Sequence, residues 1–387
     1  MREGWEYKKL GEVTQVVSGA TPKTNVDEFW GDGHYWVTPA ELNDDIIYVE
    51  RTERQITDFA LLKTKLQLLP KGTVLLSSRA PIGKVAICGV DMYCNQGFKN
   101  CICSDAIYNK YLFYFFKGKK EYLNSLGRGA TFKEISKSIV EKVIIPLPPM
   151  QEQKEISAEL DQINDLIRLK KEQLKEYDNL AQSIFYDMFG DPVENEKGWK
   201  VKKLCDVCTK ITDGTHDTPK RLTSGVKFIT GKHIRPFRID YDNSDYVTEE
   251  VHREIYKRCN PEYGDVLYTN IGANFATAAV NIVTYEFSMK NVALLKFGNN
   301  TTGFYVQYVL NFDSMHSKIV ENFGKGGAQN FLSLKQINSI IIPLPPLPLQ
   351  QEFSSRIEQI EKQKAEVQKT ITDLEALLAS RMQYWFE

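Results

Sequence analysis

Long apolar runs are missing from this chain. Stretches such as Val143-Ile144-Ile145 and Ile340-Ile341-Ile342 fall far short of the roughly 20 residues needed to cross a bilayer. Met1-Arg2-Glu3-Gly4-Trp5-Glu6 has no apolar core of a secretion signal, so a cytoplasmic location is expected. Cysteine is sparse, odd in number at 7 and irregularly spaced, which argues against a disulfide framework. Cys205 and Cys208 form a lone CxxC and Cys101 and Cys103 a CxC, but no second pair follows at a zinc-site spacing, so these read as free thiols. Histidine is scarcer: His34, His216, His233, His252 and His316 show no metal-ligand spacing, and no metal is expected.

Catalytic signatures are missing too. There is no nucleophile elbow and no HExxH, and neither Gly-rich segment leads into the GK[ST] of a phosphate loop. Methyl transfer to DNA would call for a glycine-rich cofactor loop and an Asn or Asp before Pro-Pro-Tyr/Phe. The Pro-Pro pairs here, Pro148-Pro149 and Pro345-Pro346, run instead into Met150 and Leu347. Asp213-Gly214-Thr215-His216-Asp217 reads better as an Asp-Gly turn than as a reactive cluster. The chain is therefore expected to be non-catalytic, with an enzyme of unrecognised type as a remote alternative.

What is present is an ordinary globular composition, 42% hydrophobic and 26% charged over 387 residues, a length that suits two domains plus connecting elements. The net charge of −1 conceals an alternation: residues 1–147 carry +3, 148–190 carry −4, 191–344 carry +2 and 345–387 carry −2. Only the two mildly basic segments are candidates to meet phosphate.

Self-comparison explains that alternation, because the chain repeats at an offset of about 195. Gly4-Trp5-Glu6-Tyr7-Lys8-Lys9-Leu10 returns as Gly198-Trp199-Lys200-Val201-Lys202-Lys203-Leu204. Lys71-Gly72-Thr73-Val74-Leu75 is answered by Tyr263-Gly264-Asp265-Val266-Leu267, and Gly127-Arg128-Gly129-Ala130 by Gly324-Lys325-Gly326-Gly327-Ala328. Ile144-Ile145-Pro146-Leu147-Pro148-Pro149 comes back as Ile341-Ile342-Pro343-Leu344-Pro345-Pro346.

After each proline cluster the period becomes helical. Ile156, Leu160, Ile163, Ile167, Leu174, Tyr177, Ala181, Ile184 and Met188 form a 4-3 stripe interrupted by Lys170. Phe353, Ile357, Ile360, Val367, Ile371, Leu374, Leu378 and Trp385 form a second, interrupted by Lys364 and Arg381. These spacings predict two helices of about 30 residues, roughly 45 Å long, with heptad seams. The interface is expected at Ile156, Leu160, Ile163, Ile167, Leu174 and Tyr177 on one helix and Phe353, Ile357, Ile360, Val367, Ile371 and Leu374 on the other. Mutual packing about a pseudo-twofold axis makes them antiparallel; two unrelated surface helices, each covering its own domain, are the alternative.

The globular halves show short alternating runs: Val74-Leu75-Leu76-Ser77, Lys84-Val85-Ala86-Ile87, Val266-Leu267-Tyr268-Thr269 and Ala293-Leu294-Leu295-Lys296-Phe297. Short helices are expected at 109–119 and 302–311. Tyr111, Phe113, Tyr114, Phe115 and Phe116 read as core packing of such a helix rather than base-stacking platforms. The expected fold is α+β: two globular mixed-sheet domains joined by two long antiparallel coiled-coil helices, an internal pseudo-twofold repeat. Its segments are 1–147, 148–190, 191–344 and 345–387.

In this arrangement the chain resembles the specificity subunits of type I restriction–modification systems. The resemblance covers essentially the whole sequence. It rests on the duplicated Ile-Pro-Leu-Pro-Pro segments with their Gln/Glu/Lys-rich helices, on Gly4-Trp5 with Lys9-Leu10-Gly11, and on Gly72-Thr73-Val74-Leu75-Leu76-Ser77-Ser78-Arg79 followed by Ile82-Gly83-Lys84. Gln153-Lys154-Glu155-Ile156 and Phe189-Gly190-Asp191-Pro192 complete it. The resemblance implies that each half is a target-recognition domain reading part of a bipartite, asymmetric site in double-stranded DNA. It further implies that the helices set the spacer and dock two modification (methyltransferase) subunits, with restriction (motor-nuclease) subunits joining. The chain itself would need no cofactor, and S-adenosylmethionine, ATP and Mg would belong to the partners. A scaffold or decoy that binds partners without reading DNA is the competing interpretation. Asn270-Ile271-Gly272-Ala273-Asn274 departs from the Ser-Arg-x-x-Ile-Gly-Lys pattern of the first half, so the halves are expected to read different bases.

Loop positions with side chains suited to phosphates and base edges are the candidate contacts. In the first half they are Thr21, Lys23, Ser78, Arg79, Lys84, Asn95, Gln96, Lys99, Arg128 and Thr131. In the second they are His216, Thr218, Lys220, Arg221, Lys232, His233, Arg235, Asn270, Asn274, Lys325, Gln329 and Asn330. The Gly-rich segments at 127–129 and 324–327 read equally as tight turns and as close backbone approaches to phosphate.

Overall fold

A computed structural model describes residue 2 and residues 4–79, 81–129, 133–272, 274–323 and 331–387. The chain divides into two compact units, Met1–Glu172 with Val367–Glu387, and Gln173–Glu366. Each unit holds one globular lobe and part of both long helices, so the division crosses the helices instead of following the four sequence segments.

The two lobes are built alike. In the first, a five-stranded sheet runs in the spatial order Thr14–Ser18, Lys99–Cys103, Val74–Leu76, Val85–Cys88, Tyr48–Val49. In the second, a four-stranded sheet runs Cys208–Asp213, Ala293–Phe297, Val266–Tyr268, Ala278–Val280. Each lobe adds a three-stranded sheet with one parallel pairing: Trp30–Val37 beside Tyr93–Cys94, and Val226–Thr230 beside Ser288–Lys290. An antiparallel ribbon closes each lobe at the foot of its helix. Glu6 faces Leu147 and Lys9 faces Ile144, while Val201 faces Pro343 and Lys203 faces Ile341. The four alternating runs read from the sequence are all strands, and the short helices are Asn109–Gly118 and Gly303–Asn311. Tyr111, Phe113, Tyr114, Phe115 and Phe116 are all buried.

The long helices are Met150–Phe189 and Leu347–Phe386, each of 40 residues rather than the expected 30. At 1.5 Å per residue each is roughly 60 Å long. The extra turns come before the apolar seam, directly after the prolines, where a buried glutamine ties each helix to its lobe. Gln153 accepts from the Tyr108 amide at 2.8 Å and donates to the Ala106 and Pro148 carbonyls at 3.0 and 2.9 Å. Gln350 accepts from Thr301 Oγ1 at 2.7 Å and the Thr302 amide at 3.2 Å, and donates to the Pro345 carbonyl at 2.8 Å. Tyr111 and Tyr305 add matching bonds to the Pro146 and Pro343 carbonyls.

Ile156, Leu160, Ile163, Ile167, Phe353, Ile357, Ile360, Val367 and Ile371 are buried as the stripe requires, whereas Leu174, Tyr177 and Leu374 are half-buried. Toward the helix ends the register departs from a strict heptad. Phe185 and Phe189 are buried where Ile184 and Met188 were expected to lead, and Met382 and Phe386 are buried beside half-buried Trp385. A helix near 3.6 residues per turn drifts about 20° per heptad, which moves the inward position by one residue over four repeats. The helices run antiparallel within each unit. In the first, Glu159 meets Arg381 and Trp385 while Lys171 meets Glu375 at 3.4 Å. In the second, Asp178 meets Lys364 at 2.8 Å, and Phe185 and Phe353 lie 5.6 Å apart between ring centres. The charged residues that interrupt the second stripe are thus ion-paired across the seam.

Hydrogen bonding from Arg381, opposed by burial and reinforced by the Trp385 indole, holds the Glu159 carboxyl below its ordinary value. Because the folded value is the lower one, this stabilisation is present above the ordinary carboxylate range and is lost as pH falls through the folded value. Urea unfolding at pH 7 and about pH 3 should show that Glu159→Gln loses less stability on acidification than the parent chain. Equal losses in both would remove Glu159 as an acid-sensitive tie.

Candidate nucleic-acid interface

Three segments meet on one surface of each lobe. The first is a loop whose glycine lies against neighbouring backbone. A Cβ on Gly19 would sit 1.8 Å from the Asn95 carbonyl oxygen, and one on Gly214 2.1 Å from that of Met289, so no side chain fits at either position. The next residue is bonded in the same way in both lobes: Ala20 donates to the Cys94 carbonyl and Thr215 to that of Met289, each at 3.0 Å.

The second segment is a one-turn 3-10 helix following the central strand of the small sheet, Pro39–Glu41 in one lobe and Gly231–His233 in the other. Its third residue folds back on the residue before the turn. The Glu41 carboxylate accepts from the Thr38 amide at 2.7 Å, and His233 Nδ1 accepts from the Thr230 amide at 2.9 Å. Burial pushes the His233 imidazole below its ordinary pKa, in keeping with Nδ1 serving as the acceptor for the Thr230 amide.

The third segment follows the first strand of a hairpin, Val74–Leu76 paired with Val85–Cys88 in one lobe and Val266–Tyr268 paired with Ala278–Val280 in the other. Lys84 Nζ donates to the Pro39 carbonyl at 2.8 Å. Asn274 Nδ2 donates to the Gly231 and Ile234 carbonyls at 3.0 and 2.9 Å. Ser78 and Asn270 occupy matching positions: their carbonyls accept from the Ile135 and Leu332 amides at 2.9 and 2.8 Å.

Around this frame the second lobe forms a surface cavity of about 530 Å³ lined by Arg221, Lys232, Arg235, Asn274, Lys290 and Asn291, among others. Asp245 holds Arg221 at 2.9 Å and Lys232 at 3.0 Å. Arg235 donates to the Lys232 carbonyl at 2.7 Å. At the rim, His216 lies 2.7 Å from Asp213 and 3.1 Å from Asn291, while Lys290 bonds Thr218; Lys220 is exposed. Of the sequence candidates, Arg221, Lys232, Arg235 and Asn274 are therefore brought together, with His216 and Thr218 beside them. His233 and Asn270 are buried, and each keeps one buried polar atom without a hydrogen-bond partner. Lys325, Gln329 and Asn330 lie outside the described residues.

In the first lobe Thr21 bonds Gln96, and Asn95 accepts from the Gly97 amide at 2.8 Å. Ser78 donates to the Gly97 carbonyl at 3.0 Å and is buried. Lys99 is buried and pairs with Glu134 at 3.1 Å; partly exposed Arg79 pairs with the same carboxylate, also at 3.1 Å. Burial raises the Glu134 pKa, but the hydrogen bonds from Lys99 and Arg79 more than offset it, and the group is held below its ordinary value. Arg128 is exposed, and its backbone pairs with that of Glu134 through two bonds of 3.0 Å. Lys23 is exposed, and Thr131 lies outside the described residues.

Sequence reasoning missed Glu134 and Asp245, the carboxylates that each clamp one arginine and one lysine. It also missed Lys290 and Asn291. Superposing the halves on Gly19 and Gly214 carries Asn95 onto Lys290, a signal the repeat already held.

The family described as type I restriction modification DNA specificity domain matches residues 2–177 and 196–376. The MjaIX specificity subunit of a type I restriction enzyme from Methanocaldococcus jannaschii is 32% identical, aligned over 96% of this chain and 90% of its own length. The EcoKI specificity subunit of Escherichia coli is 20% identical over 92% of this chain and 82% of its own. Two solved chains share the fold. The S subunit of a type I restriction–modification system from M. genitalium has a TM-score of 0.57 at 15% identity, covering 99% of this chain and 96% of that one. A chain from work on assembly and conformational transition of the type I R-M system has 0.60 at 18%, covering 99% and 97%.

Gly214→Ala should lower the free energy of unfolding by about 1–3 kcal/mol, read from urea midpoints, because the methyl group must displace backbone. An unchanged midpoint would show that the loop can move away.

Proposed function

The chain belongs to the type I restriction modification DNA specificity family, and we propose that it reads one bipartite, asymmetric DNA site, half with each lobe. It is the non-catalytic specificity subunit, and it acts on DNA together with methyltransferase and restriction subunits. The observation that carries the bipartite reading is the duplicated frame with unlike side chains. The same glycine loop, 3-10 turn and hairpin loop recur, yet one lobe sets Thr21, Asn95, Gln96 and Arg79 around them and the other Arg221, Lys232, Arg235 and Lys290. Like backbones with different donors and acceptors suit two half-sites of different sequence.

In this reading basic side chains meet phosphates and fix register, while loop side chains meet base edges in the major groove. The long helices set the spacer and dock two methyltransferase subunits. S-adenosylmethionine, ATP and Mg belong to the partner subunits. The acidic balance of the helical segments, −4 and −2, keeps DNA from being held along the helices and leaves it to the lobes.

The assembled modification complex should shift one gapped duplex sequence, with affinity falling steeply as salt rises, and Arg221→Ala should weaken it while reducing the salt dependence. Uniform affinity for every sequence, or no effect of Arg221→Ala and Lys232→Ala, would favour a scaffold that does not read DNA. Adding one heptad at matched positions of both helices should lengthen the tolerated spacer by roughly 10 Å, about three base pairs. An unchanged spacer would refute the ruler.

A further inference from the structure

We propose that Lys84 and Asn274 are positioning residues that hold the 3-10 turn of each lobe, so that its middle residue, Ala40 or Lys232, is presented to the DNA as a base-reading side chain. The proposal rests on the DNA-reading function and assigns the parts within it.

The two lobes share a bond without sharing the residues that make it. The two hairpin loops differ in length and sequence, and the donors stand at different places in them: Lys84 faces Ser77 across the hairpin as Thr277 faces Thr269, so Asn274 lies three residues before the counterpart of Lys84. Both nevertheless aim a donor at one atom, the carbonyl of the first residue of the turn: Pro39 at 2.8 Å and Gly231 at 3.0 Å. Asn274 takes the Ile234 carbonyl as well, spanning the turn from its first residue to the residue after its last. An interaction kept by different chemistry in two lobes points to a geometric requirement of the turn.

The bonding within the turn shows what that requirement serves. The first residue is pinned through its carbonyl. The third is turned inward, Glu41 onto Thr38 and His233 onto Thr230. Only the middle side chain is left facing outward: Ala40 is exposed, and the Lys232 side chain is 55% exposed beside the basic cavity. A methyl group in one lobe and an ammonium in the other suit different base edges, the thymine methyl and the guanine acceptors. A side chain reads a base only if its backbone is held, since a lost hydrogen bond at the support lets the reading group wander by more than a bond tolerates.

This assignment separates Lys84 from a phosphate contact, because its ammonium is already bonded inside the lobe. The two roles differ in measurable ways. A lysine on phosphate supplies sequence-independent affinity and about one unit of salt slope. A lysine that braces a turn supplies discrimination at one half-site and no salt slope.

The test uses the full chain assembled with its modification subunits, on duplexes carrying the motif mapped by methylome sequencing of the host, and on copies with one base pair changed in either half-site. Lys84→Met should reduce discrimination roughly tenfold at one half-site only, with the salt slope unchanged. Lys84→Arg should restore it. Asn274→Leu should produce the mirror loss at the other half-site. Undiminished discrimination in both variants would overturn the proposal. A salt slope reduced by about one in Lys84→Met would overturn it in favour of a phosphate contact, and equal loss at both half-sites with a lower unfolding temperature would leave a merely structural role. If the parent complex itself fails to discriminate, the DNA-reading function falls and this proposal with it; if the parent discriminates and the variants do so equally, only the positioning role falls.

Discussion

The structure depends on giving two 40-residue amphipathic helices a covered apolar face and a definite direction out of their lobes. Apolar burial supplies the first but is non-directional. Direction comes from the buried carboxamides of Gln153 and Gln350, each joining the start of its helix to the loop before the lobe's aromatic helix and to the proline segment. A buried amide tolerates little displacement, because an unmet donor or acceptor costs about 1–3 kcal/mol. The proline cluster prevents an earlier helix start, and the glutamine then sets the angle of the first turn.

With that attachment made twice, the lobes are free to diverge wherever backbone is not in tight contact. The retained parts are those with no steric latitude: Gly19 and Gly214 against carbonyl oxygens, and the prolyl carbonyls that accept from Tyr111 and Tyr305. The side chains around the turn differ freely. Each lobe still pairs its basic groups with one carboxylate, Glu134 or Asp245, which holds an arginine and a lysine in place. This local pairing fits a DNA-reading protein whose net charge is only −1. Affinity drawn from a diffuse positive field would be indifferent to sequence, whereas side chains held in fixed positions favour discrimination.

The repeat, the strands and both helices were legible in the sequence, because each is written in local periodicity or in direct self-similarity. Val74–Leu76 and Val266–Tyr268 are short apolar runs between turn residues, and the seams from Ile156 and Phe353 need only spacing to be seen. The seam's far ends were misplaced by one residue, Phe185 for Ile184 and Phe386 for Trp385. A heptad template accumulates an error that a straight helix does not share.

Tertiary structure alone decided which polar residues face outward. Ser78, Lys99, His233 and Asn270 belong to types suited to DNA contact and are buried, while Lys290 and Asn291, which stand outside the sequence candidates, line the basic cavity. Exposure of a loop residue is set by chain segments far away in sequence: Lys99 is neutralised by Glu134, and Lys84 is drawn to a carbonyl 45 positions earlier. Residue type and spacing determined the architecture because helices, strands and repeats are built from near neighbours. They left the site undetermined because its hydrogen bonds and ion pairs join residues that only the folded chain brings within 3 Å of one another.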